Sequence, residues 1–150
     1  MKNKMITITE FVAKVCPDLC VEFNREDDAF YDYAEELISI DPNTPNTDDD
    51  GFIRHIVEKH HFAQGYNYPM LLWTILHEIG HHETEDLVED YSTEFEVRTM
   101  CAMVSQEVAR SNTHLQDMYY DLESEWLATE WAIQFVQTHA DLCREFIQNT

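Results

Sequence analysis

Basic side chains are scarce in this 150-residue chain: nine lysines and arginines stand against thirty aspartates and glutamates, for a formal net charge of −21 with histidine neutral. A nucleic-acid backbone and an anionic membrane surface are both held by clustered Lys and Arg, so this balance argues against direct binding to either. Long apolar runs are missing too. The longest, from Met70 to Leu76 and broken once at Thr74, is far short of the roughly 20 residues a spanning helix needs. Behind Lys2 and Lys4, the residues Thr7, Thr9, Glu10 and Lys14 interrupt any apolar core, so no signal peptide and a cytoplasmic location are expected. Cys16, Cys20, Cys101 and Cys143 show neither zinc-ribbon spacing nor a thioredoxin-type gap and are read as reduced thiols. No repeat or low-complexity tract appears. The length suits one domain over 1–150, able to bury roughly two-thirds of its unfolded surface without disulfides.

What is present is His77-Glu78-Ile79-Gly80-His81. On an α-helix a spacing of four returns to the same face about 6 Å further along the axis, so one divalent ion can take a nitrogen from each ring. Glu78 points roughly 100° away from His77, where it misses the ion but reaches a water beside it, the position of a general base. The run from Tyr68 to Leu76 is apolar behind Pro69, a residue tolerated at a helix start, and delivers His77 into a buried helix. Gly80 has the weakest helix propensity apart from proline, but without a Cβ it lets another element come close.

A zinc ion that performs hydrolysis wants three protein ligands and one open position. In 121–136 the residues Leu122, Trp126, Ile133 and Val136, with Leu127, Trp131 and Phe135 beside them, recur at helical spacing. Glu125 lies at the edge of that apolar surface, with Ala128 and Ala132 along the same side. A carboxylate among small residues can approach another helix, and in such a setting it must be paired or metal-bound.

Together, H-E-I-G-H and the later E-x-x-A-x-x-W-A at Glu125–Ala132 resemble the gluzincin metallopeptidases, in particular the small ImmA/IrrE-like group and more distantly the HtpX-type proteases. The resemblance covers roughly 68–135. It implies Zn2+ held by His77, His81 and Glu125, with Glu78 as the base, in a zincin-like α+β fold that is mostly helical with a small N-terminal sheet. Where relatives often carry Asp or Asn to orient a ligand histidine, this chain has Thr129. His82 and Glu83 directly follow the second ligand, so the helix is expected to reach solvent there and His82 to lie on the surface. His55, His60 and His61 read as surface or packing residues. Tyr119, Tyr120 and His114 are candidate donors to a developing oxyanion.

The element order predicted from patterning is a helix at 9–15, strands at 21–25 and 37–40 with a third at 29–33 between them, and a turn-rich linker at 41–47. Helices follow at 48–62, behind Pro69, and at 94–110, 114–139 and 140–148. The reading is a zinc-dependent hydrolase of peptide bonds acting on a protein or peptide, with a basic regulatory protein as one candidate. Acidic residues concentrate in 22–50 and 83–96. They sustain an alternative, a zinc-stabilised acidic interaction protein that mimics DNA or acts as a decoy. A zinc hydrolase of small molecules is a third.

Overall fold

A computed structural model of the protein describes residues 3–150. Helix α1 (Lys4–Val15) begins earlier than the patterning predicts because the Asn3 side chain accepts a hydrogen bond from the Met5 amide and caps it. Three short strands follow: β1 (Cys20–Phe23), β2 (Phe30–Asp32) and β3 (Leu37–Ile40). The central strand β3 runs parallel to β1, with Cys20 opposite Leu37, and antiparallel to β2, with Phe30 opposite Ser39. β2 is therefore an edge strand.

Helix α2 (Phe52–Glu58) is shorter than the predicted 48–62. The Asp48 carboxylate accepts from the amides of Ile53 and Arg54, and Gly51 turns the chain at φ 70°, so 48–51 forms a capping turn ahead of the helix. Helix α3 (Met70–Thr84) starts behind Pro69 as expected. The region predicted as one helix over 94–110 is instead α4 (Tyr91–Ala102) and α5 (Gln106–Ser111), separated where the Ser105 hydroxyl caps the second. The predicted helix 114–139 is likewise α6 (Thr113–Tyr120), capped by Asn112, and α7 (Glu123–Thr138). Leu122 takes an extended backbone between them, and Glu94 of α4 accepts from the Ser124 amide to cap α7 from outside. Helix α8 (Ala140–Asn149) closes the chain. The result is α+β, mostly helical, with a three-stranded sheet. No helix among the described residues is long and apolar enough to cross a membrane.

α3 is the central helix. Leu72, Trp73, Ile75, Leu76 and Ile79 are fully buried, and with Leu71, His77, Glu78 and His81 also buried the helix is covered around its circumference rather than along one stripe. They join Ile8 and Phe11 of α1, Ile38 and Ile40 of β3, Ile56 of α2 and Val136 of α7 in one contiguous apolar cluster. The Trp73 indole donates to the Gly65 carbonyl at 2.9 Å, so its one polar atom is satisfied inside. α3 and α7 form the most extensive helix pair, and they come close together at Gly80. A Cβ there would fall 2.5 Å from the Ala128 carbonyl oxygen and 3.0 Å from its Cα.

Of the two roles read for it, surface or packing, His55 takes the packing one. Its ring is wholly buried among His60, Tyr120 and Trp126, with no hydrogen-bond partner on either nitrogen among the described residues. Burial, and then the His60 ring, push its pKa from 6.5 down to about 4 against the pull of Asp121 and Asp117. His60 stacks on Trp126 with ring centroids 3.8 Å apart and hydrogen-bonds Glu130 at 2.5 Å. His61 is exposed, at φ 57°.

Two outcomes follow from this packing. Gly80→Ala should destabilise the protein by about 1–3 kcal/mol in urea titrations, because backbone overlap outweighs the helix-propensity gain of about 1 kcal/mol; an unchanged or raised midpoint would contradict the close approach. For His55, the unfolded chain binds the extra proton, so the contribution of the neutral ring is whole above about pH 6.5 and is lost as pH falls towards 4. Across that window the stability of wild type relative to His55→Leu should decline by up to about 1.4 kcal/mol per pH unit; a flat difference would refute the assignment.

Candidate metal centre

The site is assembled from three helices. α3 presents His77 and His81 one turn apart, the first turn of α7 presents Glu125, and α4 reaches over with Arg98. The two imidazole rings stand nearly perpendicular, 85° apart with centroids at 4.7 Å. Their Nε2 atoms converge on a single atom, Glu125 Oε2, at 2.6 Å from His77 and 2.9 Å from His81. All three side chains are at least nine-tenths buried. Glu78 is buried beside them, and ligand atoms of His77, Glu78 and His81 lie within 4.8 Å of one another.

The hydrogen bonds around the centre decide whether a cation fits it. The Thr129 hydroxyl donates to the Glu125 carbonyl at 2.8 Å, which leaves its oxygen as an acceptor towards His77 Nδ1 at 3.2 Å. His77 Nδ1 therefore carries a hydrogen, and in the neutral ring Nε2 turns its lone pair towards the carboxylate oxygen. A lone pair and an anionic oxygen at 2.6 Å repel unless positive charge lies between them. The donor set of two imidazoles and one carboxylate suits a divalent ion, so these residues could hold one. Thr129 supplies, with a hydroxyl, the orienting contact that a carboxylate would otherwise make.

In the protein alone, protons meet the same charge requirement. Burial would raise the Glu125 pKa, but His81 and His77 outweigh it and hold the carboxyl well below its usual range. Burial likewise works against a charged His81, yet Glu125 raises the ring to about 9. Glu78 moves upward: burial raises it more than the two histidines lower it. The other Glu125 oxygen, Oε1, accepts from Arg98 Nη2 at 3.2 Å, so each oxygen of this buried carboxylate has its own cationic face. Arg98 Nη2 also reaches the Ser124 hydroxyl at 3.1 Å, and its guanidinium lies 5.4 Å over the Tyr119 ring.

Two clefts of about 330 and 500 Å³ meet at this centre, and Ala29, Glu78 and Tyr119 line both. The first runs past His77 towards α6; the second passes His81, Arg98 and the edge strand β2. Tyr119 is the one proposed oxyanion donor that lines both clefts. Burial and Glu125 drive its phenol well above the ordinary pKa, so it keeps a proton to donate. Tyr120 lines the first cleft but packs its ring on Phe52 and His55, and His114 is exposed and lines neither.

His82 departs from its predicted surface position. It is half-buried, with Nδ1 2.8 Å from the Tyr31 hydroxyl. Arg98 and Glu94 are the functional side chains that the sequence reading passed over. The signal was a single arginine just behind an acid-rich segment, and its partner lies 27 residues away. Comparisons with protein-family models, with curated proteins and with solved structures find no match to this chain.

Thr129→Val keeps the volume and removes the acceptor for His77 Nδ1–H. Metal affinity, measured by competition with a chelator, should drop about 10- to 100-fold with the far-ultraviolet spectrum unchanged. An unaltered affinity would show that the hydroxyl does not orient the ring.

Proposed function

We propose that this protein is a zinc-dependent peptidase of gluzincin type, with a zincin-like domain in which His77, His81 and Glu125 hold the ion and Glu78 acts as general base. The observation that carries this reading is the meeting of two imidazole nitrogens and one carboxylate oxygen at a single buried point, with Glu78 beside it where two clefts join. When bound, zinc supplies Lewis-acid polarisation of the scissile carbonyl and lowers the pKa of a water. Glu78, whose affinity for a proton is raised by burial, takes a proton from the attacking water and passes it to the departing amine. Tyr119 offers its phenolic hydrogen to the oxygen that becomes negative. Thr129 and Arg98 keep His77 and Glu125 in register with those groups.

A peptide is favoured over a small molecule by β2. Among the described residues no strand neighbours its outer edge, and Phe30 and Tyr31 line the second cleft beside Glu78. An extended chain laid along that edge would pair with its free backbone groups, and the scissile bond would lie near the junction of the clefts. The charge of −21 favours a basic substrate such as a regulatory protein. It also sustains a second reading, an acidic interaction protein in which the ion is structural.

Glu78→Gln separates the two. Incubated with a mixed peptide library and followed by mass spectrometry, the zinc-loaded variant should lose at least about 10²-fold in cleavage rate while retaining its metal. Glu125→Ala should lose the metal itself. Cleavage by Glu78→Gln at the wild-type rate, or full metal content in Glu125→Ala, would remove this assignment.

A further inference from the structure

A second group of potential ligands lies on another face of the last turn of α3, beside the centre just described. The sulfur of Cys16, a ring nitrogen of His82 and a carboxylate oxygen of Glu83 lie within 4.8 Å of one another. Cys16 caps the C-terminal end of α1 and is buried, and its sulfur is 3.3 Å from Glu83 Oε1. His82 and Glu83 belong to the last turn of α3.

His82 is held as metal-bound histidines are held. The Tyr31 hydroxyl donates its hydrogen to Glu85 Oε2 at 2.9 Å and so presents a lone pair to His82 Nδ1 at 2.8 Å. Nδ1 is then the protonated nitrogen, and Nε2 is left with the lone pair that a ligand needs. The Tyr31 ring packs edge-on against the imidazole with centroids 5.4 Å apart, which limits its rotation. A phenol and a carboxylate thus set the tautomer from behind.

We propose that Cys16, His82 and Glu83 form a second metal site, for a divalent cation of the zinc class that accepts a thiolate, tying the end of α1 to the end of α3. A sulfur, an imidazole and a carboxylate are the donor types of tetrahedral zinc sites, with solvent free to take the fourth position. Binding exchanges a proton for the ion: the Cys16 S–H bond breaks, a sulfur–metal bond forms, the proton leaves to solvent, and no electron changes hands. Without the ion, burial and Glu83 push the thiol up to about 11, so it keeps its hydrogen and shares it with that carboxylate. Glu36, His82 and Glu85 make a rival grouping. There Glu85 already receives the Tyr31 hydroxyl, and no soft donor is present. His81 and His82 diverge by about 100° around the helix, so the two ions do not compete for ligands.

Cobalt(II) distinguishes the sites, because only this one contains sulfur. The metal-free full chain, titrated with Co2+, should take up two equivalents and develop a sulfur-to-cobalt charge-transfer band in the near ultraviolet. Cys16→Ser and His82→Ala should each abolish the band and bind one equivalent, whereas His77→Ala should bind one equivalent and keep the band. The proposal is overturned if wild type shows no such band, or if the band persists in Cys16→Ser. Should Cys16→Ser fail to fold, the wild-type spectrum and His82→Ala decide alone. The charge-transfer band is independent of the peptidase reading, which is tested by Glu78→Gln and Glu125→Ala; only the count of two equivalents rests on the first centre as well.

Discussion

The approach of α3 to α7 at Gly80 governs the rest of the structure. With a carbonyl oxygen 2.5 Å from where a Cβ would stand, the two helices sit at a separation that no other residue type at position 80 would allow. That separation lets a glutamate, a short reach from its own backbone, touch imidazoles on the neighbouring helix at 2.6 and 2.9 Å. Ala128 and Ala132, both fully buried, continue the contact surface beyond it. The fully buried Leu72, Ile75 and Ile79, on the face of α3 turned away from His77 and His81, then hold the helix in the apolar cluster, so the two histidines are presented from a helix that cannot rotate without opening the core.

A carboxylate as deeply buried as Glu125 demands compensation from every direction. The fold meets this demand in separate ways: the imidazoles on one oxygen, Arg98 on the other, and the first turn of α7, where the positive end of the helix dipole favours an anion. The same logic explains why one of so few basic residues is spent at this position. Most of the thirty acidic residues are left to repel one another at the surface, which opposes compaction and makes the apolar cluster the principal cohesive element.

Much of this was legible in the sequence because it rests on local periodicity. The apolar run behind Pro69 announced α3, and Glu125 with Ala128 and Ala132 announced a face made for close contact. All three short strands appear near their predicted places. The breaks between α4 and α5 and between α6 and α7 were not legible, since neither contains glycine or proline; a serine hydroxyl marks one, and a cap donated by Glu94 from another helix marks the other. Arg98, the burial of His55 and the contact of His82 with Tyr31 depend on which residues tertiary packing brings together over 27 to 65 or more positions, or on a ring enclosed by several elements. No spacing rule records such encounters.

Glu94 and Arg98 give α4 an importance out of proportion to its packing. Of its own residues only Glu94 and Val97 are buried, while Tyr91 and Phe95 are largely exposed. Yet from this lightly anchored helix Glu94 caps the amide of Ser124 and Arg98 grips the neighbouring Glu125. Tilting α4 outward would uncap α7 and release one carboxylate oxygen in the same movement. The cluster of His77, His81 and Glu125 is thus tied to the molecule's outer wall through two adjacent residues, Ser124 and Glu125, a connection that bypasses the core.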